Sequence, residues 1–347
     1  MLSNYIHKYY FTEDKIMAVI GLSLFTFRLE HTDKTQKIGK GKRSRSKIEY
    51  ANLNDKIAED TDIFELLNNF VQAYNYSKNK SKSSILKLNG SDMKSEEIED
   101  KKFRHMMIFA EYGESGYTAS IINDTTGVVK YNKAKDEAAM TKLNVSVLVD
   151  EDENNPIKKG FIIFQTVGNT SIKTQFVNNL KSFLKESYKK EEYEYKLKLD
   201  QIVPTQFVKE LLSKNTINKI ELIAYKQPED RTNLLEDDFE YETKKMVFSK
   251  IRRANSLMDK ISDFLDAKKK ITDVIEFPEF EYNDIKIELN LGQRKKMLDL
   301  GKIDKTQIKI NLPDEIKNID GHADINMLRD EINELYLLYS ENINLHM

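Results

Sequence analysis

Five histidines, His7, His31, His105, His322 and His346, are scattered along the chain, and no two stand at the spacing of a zinc-binding pair. The absence of cysteine excludes disulfides, thiolate metal centres, iron–sulfur clusters and thiol nucleophiles. Asp and Glu number 57, so closeness of carboxylates in sequence carries no weight. One spacing is chemically pointed. Glu242-Thr-Lys244 is the Glu-x-Lys of many metal-dependent nucleases, in which the carboxylate holds the metal and the lysine steadies the attacking water or the phosphate. That chemistry wants the pair on a central strand with an Asp on a neighbouring one. The charged surroundings of Glu242 and Lys244 read instead as the start of a solvated helix. Asp284-x-Lys286-x-Glu288 reads as a strand but has its residues in the wrong order.

Phosphate loops of the standard kinds, G-x-x-x-x-G-K-[ST] or G-x-G-x-x-G after a strand, do not occur. Val167-Gly168-Asn169-Thr170 does place a glycine turn between a strand and a helix, where backbone N–H groups can hold a phosphate. The favoured reading is structural: Gly168 turns the chain and Thr170 or Ser171 caps the helix. Without a G-x-S-x-G elbow, nucleophilic hydrolysis has no anchor. No catalytic residues, cofactor or metal are therefore assigned. A metal-dependent nuclease or toxin, with Glu242 and Lys244, stays as an alternative.

The segment 34–47 (KTQKIGKGKRSRSK) is the most informative. Lys34, Lys37, Lys40, Lys42, Arg43, Arg45 and Lys47 lie in it without one acid, and Ile38 is its sole apolar residue. Such a stretch cannot bury itself and reads as a flexible arm. Its cations suit phosphates, giving affinity without sequence reading. Lys40, Lys42, Arg43, Arg45 and Lys47 are the main candidates, with Lys34 and Lys37 assisting. The competing reading is an arm that docks on an acidic surface such as Asp150-Glu-Asp-Glu153, in an interaction or sensor protein. Lys214, Lys219, Lys250, Arg252 and Arg253 could extend the surface. Tyr9, Tyr10, Tyr74, Tyr76, Tyr193 and Tyr195 read as packing rather than base-stacking platforms.

The elements that must carry these residues follow from length and pattern. A chain of 347 residues suits two or three domains. Net charge is only −2, which excludes a uniformly cationic coat but not a local basic patch. The early apolar run 16–27 is too short to span a bilayer, which needs about 20 residues, and alternates as a core strand. Cytoplasmic residence without membrane insertion is expected. Helical spacing occurs at 63–74 and strands at 102–110, 117–123, 127–131 and 143–149. Residues 160–225 read as β-α-β-α-β, with Phe176, Leu180, Phe183 and Leu184 on one helix face. The fold class is α+β: mixed sheets with flanking helices. Four regions are expected: a β-rich 1–150 bearing the arm, the 151–237 unit packed on it, a helical connector 238–275, and a small α/β region 276–347. The last helix carries Ile325, Leu328, Ile332, Leu335, Tyr336 and Leu338 as an apolar stripe that caps its domain or pairs with a second copy.

The order of a strand, a basic arm, a strand pair, FIIFQTVGNTSIKTQFVNNL (161–180) and INKIELIAYKQPED (217–230) resembles phage-exclusion proteins of the lambda RexA type and related abortive-infection proteins. The ending is similar in layout, FEYNDIKIELNLG (280–292) followed by the helix INMLRDEINELYLLY (325–339). The resemblance lies in order and pattern over most of the chain. It implies an anti-phage protein that binds DNA, rather than RNA, with little sequence preference. It also implies a homodimer, possessing a membrane-protein partner encoded nearby.

Overall fold

The computed structural model describes residues 19–38, 45–55, 57, 61–79, 81–152, 154–187, 193–202, 209, 212, 216–226, 242–249, 255–266, 269–277, 280–291, 294–301 and 310–340. The chain forms two compact units, residues 1–200 with 309–347 and residues 201–308. Its strands and helices make it α+β.

The first unit contains β1 (Ile20–Ile38), β2 (Arg45–Tyr50), α1 (Ile63–Ala73), β3 (Tyr76–Asn79), β4 (Ser84–Ile98), β5 (Lys101–Glu114), β6 (Ala119–Ile122), β7 (Val129–Lys133), β8 (Ala139–Asp150), β9 (Gly160–Val167), β10 (Thr170–Ser171), α2 (Lys173–Ser187) and β11 (Tyr193–Gln201). The main sheet runs β11-β1-β9-β8-β5-β4-β3, and every pairing whose register is described is antiparallel. The division expected at residue 150 falls inside this sheet, because Val145 to Leu148 of β8 pair with Phe164 to Phe161 of β9. The acidic run there is a hairpin connection. Asp150 takes Lys101 at 3.3 Å, and Arg104 lies 3.7 Å from Glu151.

Alternate residues of a strand face opposite sides, and both sides of β8 and β9 are buried. On one side Phe25, Phe27, Met106, Ile108, Val145, Val147, Ile162 and Phe164 meet α1 and α2. Asp62 caps α1, accepting from the backbone N–H of Phe64 and of Glu65 at 2.9 Å each. Phe70 of α1 sits edge-on to Phe176 of α2, with ring centres 5.2 Å apart, and 5.6 Å from Phe183. The packing leaves a cavity of about 10 Å³ lined by apolar residues including Phe27, Val147 and Leu180. At that size and polarity it stays dry and holds no ligand.

The other side belongs to the last helix, α4 (Ile325–Ser340). Tyr336, fully buried, packs on Phe103 and Phe161 with ring centres 4.8 and 4.9 Å away. Its hydroxyl bonds to the Asp150 carboxylate. His105 on β5 is also fully buried, and its Nδ1 lies 2.7 Å from Asn333 Oδ1. Arg329 donates to the His105 carbonyl at 3.2 Å and to Asp92 Oδ2 at 2.7 Å. The terminal helix therefore caps its own sheet, as its apolar stripe allowed.

The second unit holds β12 (Thr216–Lys226), β13 (Glu242–Ser249), α3 (Asn255–Leu265), β14 (Asp284–Leu291) and β15 (Arg294–Asp299), with sheet order β13-β12-β14-β15. A last short strand, β16 (Ile310–Asn311), returns to β1 in the first unit. The expected β-α-β-α-β order is thus split. β9 and β11 flank β1, whereas β12 belongs to the other sheet. Alternation marks a strand without saying which sheet it joins. The helical connector expected at 238–275 begins as strand β13, which pairs with β12 from Lys226 opposite Glu242 to Lys219 opposite Ser249. Its lysines hid the period of two, as on many edge strands.

Burial, followed by the charge of Arg329, lowers the pKa of His105 from 6.5 to about 3. The unfolded chain takes up this proton near pH 6.5, and the folded chain resists it. The stability linked to neutral His105 is whole above that pH and is lost as pH falls towards 3, by up to about 1.4 kcal/mol per pH unit. Thermal melts from about pH 7.5 to about pH 4.5 should show this fall, and His105→Gln should flatten it.

Candidate nucleic-acid interface

β1 is 19 residues long, and its pairing changes partner along its length. It lies against β9 from Ile20 opposite Val167 to Phe27 opposite Gly160. Beyond that it pairs with β2, from Glu30 opposite Tyr50 to Ile38 opposite Arg45. The basic segment is therefore not a loose arm at its two ends, which form a strand ribbon. Between Asp33 and Lys37 the register shifts, because β1 takes four steps where β2 takes one, from Lys47 to Ser46. Lys34, Thr35 and Gln36 make a bulge, a device that bends a ribbon and increases its twist.

The structure thus places Lys34 and Lys37 on β1 and Arg45 and Lys47 on β2, with Lys37 opposite Ser46 and Lys47 opposite Asp33. Lys40, Lys42 and Arg43 lie outside the described residues. At the base of the ribbon charges are paired: Arg28 with Asp200 at 3.4 Å, and Glu30 with Lys198 at 3.3 Å. From 34 to 47 the sequence offers no acid for such pairing.

The outlying candidates add less. Lys219 is engaged by Glu221 at 2.8 Å, which raises the lysine pKa and lowers that of the acid. Lys214, Lys250, Arg252, Arg253, Tyr9 and Tyr10 lie outside the described residues. Tyr74 packs against Phe70 and bonds to Glu186, and Tyr195 stacks on His31 at 5.0 Å, so both are packing residues. Tyr76 is exposed. Gly168, at φ +55°, donates its N–H to the Val19 carbonyl at 2.9 Å, which engages the turn's first amide within the fold. Ser171 Oγ reaches the Lys173 N–H at 3.4 Å. The β6–β7 hairpin has readable signals, with Asn123 Oδ1 accepting from the N–H groups of Thr125 and Thr126 in its turn. It leaves Ile121, Ile122, Val128 and Val129 about half exposed.

Comparison with protein-family models, curated proteins and solved structures finds no match to this chain.

The acid–lysine pairs divide differently from the sequence expectation. Glu242 and Lys244 lie on the edge strand β13, not on a helix. Asp284 and Lys286 lie on β14, inside the sheet, and Asp299 of β15 stands directly opposite Lys286. Lys286 Nζ is 3.4 Å from Asp299 Oδ2. Asp284 is 3% exposed, and its Oδ1 accepts from the N–H of Ile285 at 2.8 Å and of Gly301 at 2.9 Å. Burial, and then a hydrogen bond shared with Asp299, raise its pKa. Asp299 escaped notice because β15 was not assigned. The available signal was a glycine in Leu291-Gly292-Gln293-Arg294, a hairpin sequence pattern, and Leu291 pairs with Arg294. Among the described residues, no group of three or more His, Asp or Glu gathers as metal ligands.

A Cβ at Gly301 would come within 2.5 Å of Asp284 Oδ1 and 2.9 Å of its Cγ. Gly301→Ala should destabilise the second unit by about 1–3 kcal/mol in urea unfolding. Unchanged stability would mean that Asp284 is free to move aside.

Proposed function

We propose that this protein binds double-stranded DNA through the phosphate backbone, with little sequence preference, using the ribbon of β1 and β2 and the basic segment that joins them. What carries the reading is the strand pairing at both ends of an acid-free segment with seven cations. A two-stranded ribbon fits the major groove of B-form DNA, whereas the deep, narrow major groove of A-form RNA does not admit it. Lys and Arg supply charge for phosphates, and the binding surface is local, as a net charge of −2 requires. The competing acidic surface is less suited to receive the arm, since Asp150 already holds Lys101 and Tyr336, and Glu151 lies near Arg104.

The resemblance to phage-exclusion proteins supplies the setting: a cytoplasmic, non-enzymatic anti-phage protein, acting as a homodimer with a membrane protein encoded nearby. Among the described residues no helix is long and apolar enough to cross a membrane, so in this reading the membrane step belongs to the partner.

Fluorescence anisotropy on a labelled random-sequence duplex tests the proposal. Log affinity should fall steeply with log salt, with a slope of up to about −6 if all seven cations meet phosphates. Replacing Lys42, Arg43 and Arg45 together by Ala should weaken binding alike on all sequences and flatten the slope by about three. No binding at low salt would return the arm to protein docking.

Ser46→Pro keeps every charge but puts a residue without a backbone N–H, and with a fixed φ, into β2 opposite Lys37. It should weaken DNA binding severalfold, and equal affinity would show that the segment works as a loose chain.

A further inference from the structure

β4 runs past the strand that covers its outer side. β3 pairs with Ser84 to Lys87, and the Asn75 carbonyl accepts from the Leu88 N–H at 3.0 Å. From Ser91 to Ile98, β4 has β5 on one side and, among the described residues, no strand on the other. The hairpin turn fixes which backbone groups are left over. Glu99 and Asp100 form it with φ of 52° and 63°, and the flanking pair of such a two-residue turn, Ile98 and Lys101, exchanges both hydrogen bonds. Pairs alternate along an antiparallel ladder, so Glu96, Lys94 and Asp92 also turn their N–H and C=O groups to β5. Ser91, Met93, Ser95 and Glu97 turn theirs outwards. Residues 92–95 are exposed on both faces, Met93 to 48%. Such an edge is a template for another strand.

We propose that the other strand is β4 of a second copy of this chain, antiparallel to the first about a two-fold axis at Met93. In such a pair the side chains opposite one another share a face, so the axis passes through a residue and not between two. Placed at Asp92, Lys94, Glu96 or Glu97, it sets a charge against its own copy. At Ser91 it brings Ser95 opposite Lys87, where β3 already lies. At Ser95 it sets Met93 against the Glu97 carboxylate. At Met93 it sets Met93 against Met93, Ser91 against Ser95, and Lys94 against Asp92 twice. Opposite charges facing across strands stabilise the pair, and an exposed methionine leaves water. Arg329 holds Asp92 at 2.7 Å, yet the Asp92 side chain is still 49% exposed and open to Lys94 of the second copy. The homodimer of the DNA-binding reading gains from this an interface on a strand that is not part of the ribbon. The rival is a monomer in which Lys94 guards the edge.

Sedimentation velocity of the full chain tests this without DNA, so that the dimer and the DNA reading fail separately. The chain should dimerise with a dissociation constant on the order of micromolar. Lys94→Glu puts like charges opposite each other at both contacts with Asp92 and should raise that constant at least about tenfold. Lys94 is exposed, so the variant should keep the circular dichroism spectrum of the wild type. The chain has no cysteine, so Met93→Cys supplies a single thiol beside its own copy, and a short bis-maleimide should join two chains. Thr125→Cys, in the exposed turn of the β6–β7 hairpin, should stay single. A monomer throughout the micromolar range overturns the proposal. So does a dimer that Lys94→Glu leaves intact, or one that links Thr125→Cys as readily as Met93→Cys.

Discussion

Strands buried on both faces leave no water for a polar side chain, and that constraint governs the first unit. β8 and β9 sit in the middle of the sheet with α1 and α2 on one side and α4 on the other. The first side is filled mainly by aliphatic and aromatic residues, and its buried Ser84 donates to Gln175 of α2 at 2.8 Å. The second carries polar groups that must be matched inside the protein. Asn144 and Gln165 match one another across neighbouring strands at 2.7 Å. His105, Asp92 and Asp150 need α4, which brings Asn333, Arg329 and Tyr336 to them. Two atoms remain unmatched on that side, His105 Nε2 and Ser146 Oγ, both buried. The terminal helix thus defines one register on the sheet, where a purely apolar stripe would slide.

The same constraint separates structure from candidate function. The gap between the sheet and its two helices, lined by apolar residues, admits no ligand. Charge accumulates where β1 has left β9. β1 is buried while it lies against β9 and β16, and it turns basic only after β2 has become its partner. One continuous strand therefore anchors the ribbon in the core and carries it beyond. The two described ends of the cation-rich segment gain from this a strand pairing that their own composition could not supply.

Legibility in the sequence followed the same line. The run Gly160–Phe164 is apolar on both faces and reads directly as the start of a buried strand. α2 is equally plain, with Phe176, Leu180, Phe183 and Leu184 buried as their spacing predicts. The apolar half of α4 was visible, but its polar half was not. Arg329 and Asn333 acquire meaning from Asp92 and His105, which lie 237 and 228 positions away. The basic segment misled for a related reason. Its composition speaks for a loop, while its pairing is an extension of strands nucleated elsewhere. Asp284 and Lys286 were seen on their strand, but their neighbour Asp299 depended on a cross-strand register that no local pattern contains.

The chain leaves the first unit after Asp200, builds the whole of the second, and returns at Lys309. On the ribosome this order has a cost in time. The sheet of the first unit is complete except for β16 when residue 200 emerges, yet the helix that covers its second face is encoded at Ile325–Ser340. At about 5–20 residues per second, the wait lasts on the order of ten seconds. Throughout it Phe103, Phe161 and His105 face water or a chaperone instead of Tyr336 and Asn333. Any truncation that removes Ile325–Ser340 makes that interval permanent, so the first unit matures only after the second has been synthesised.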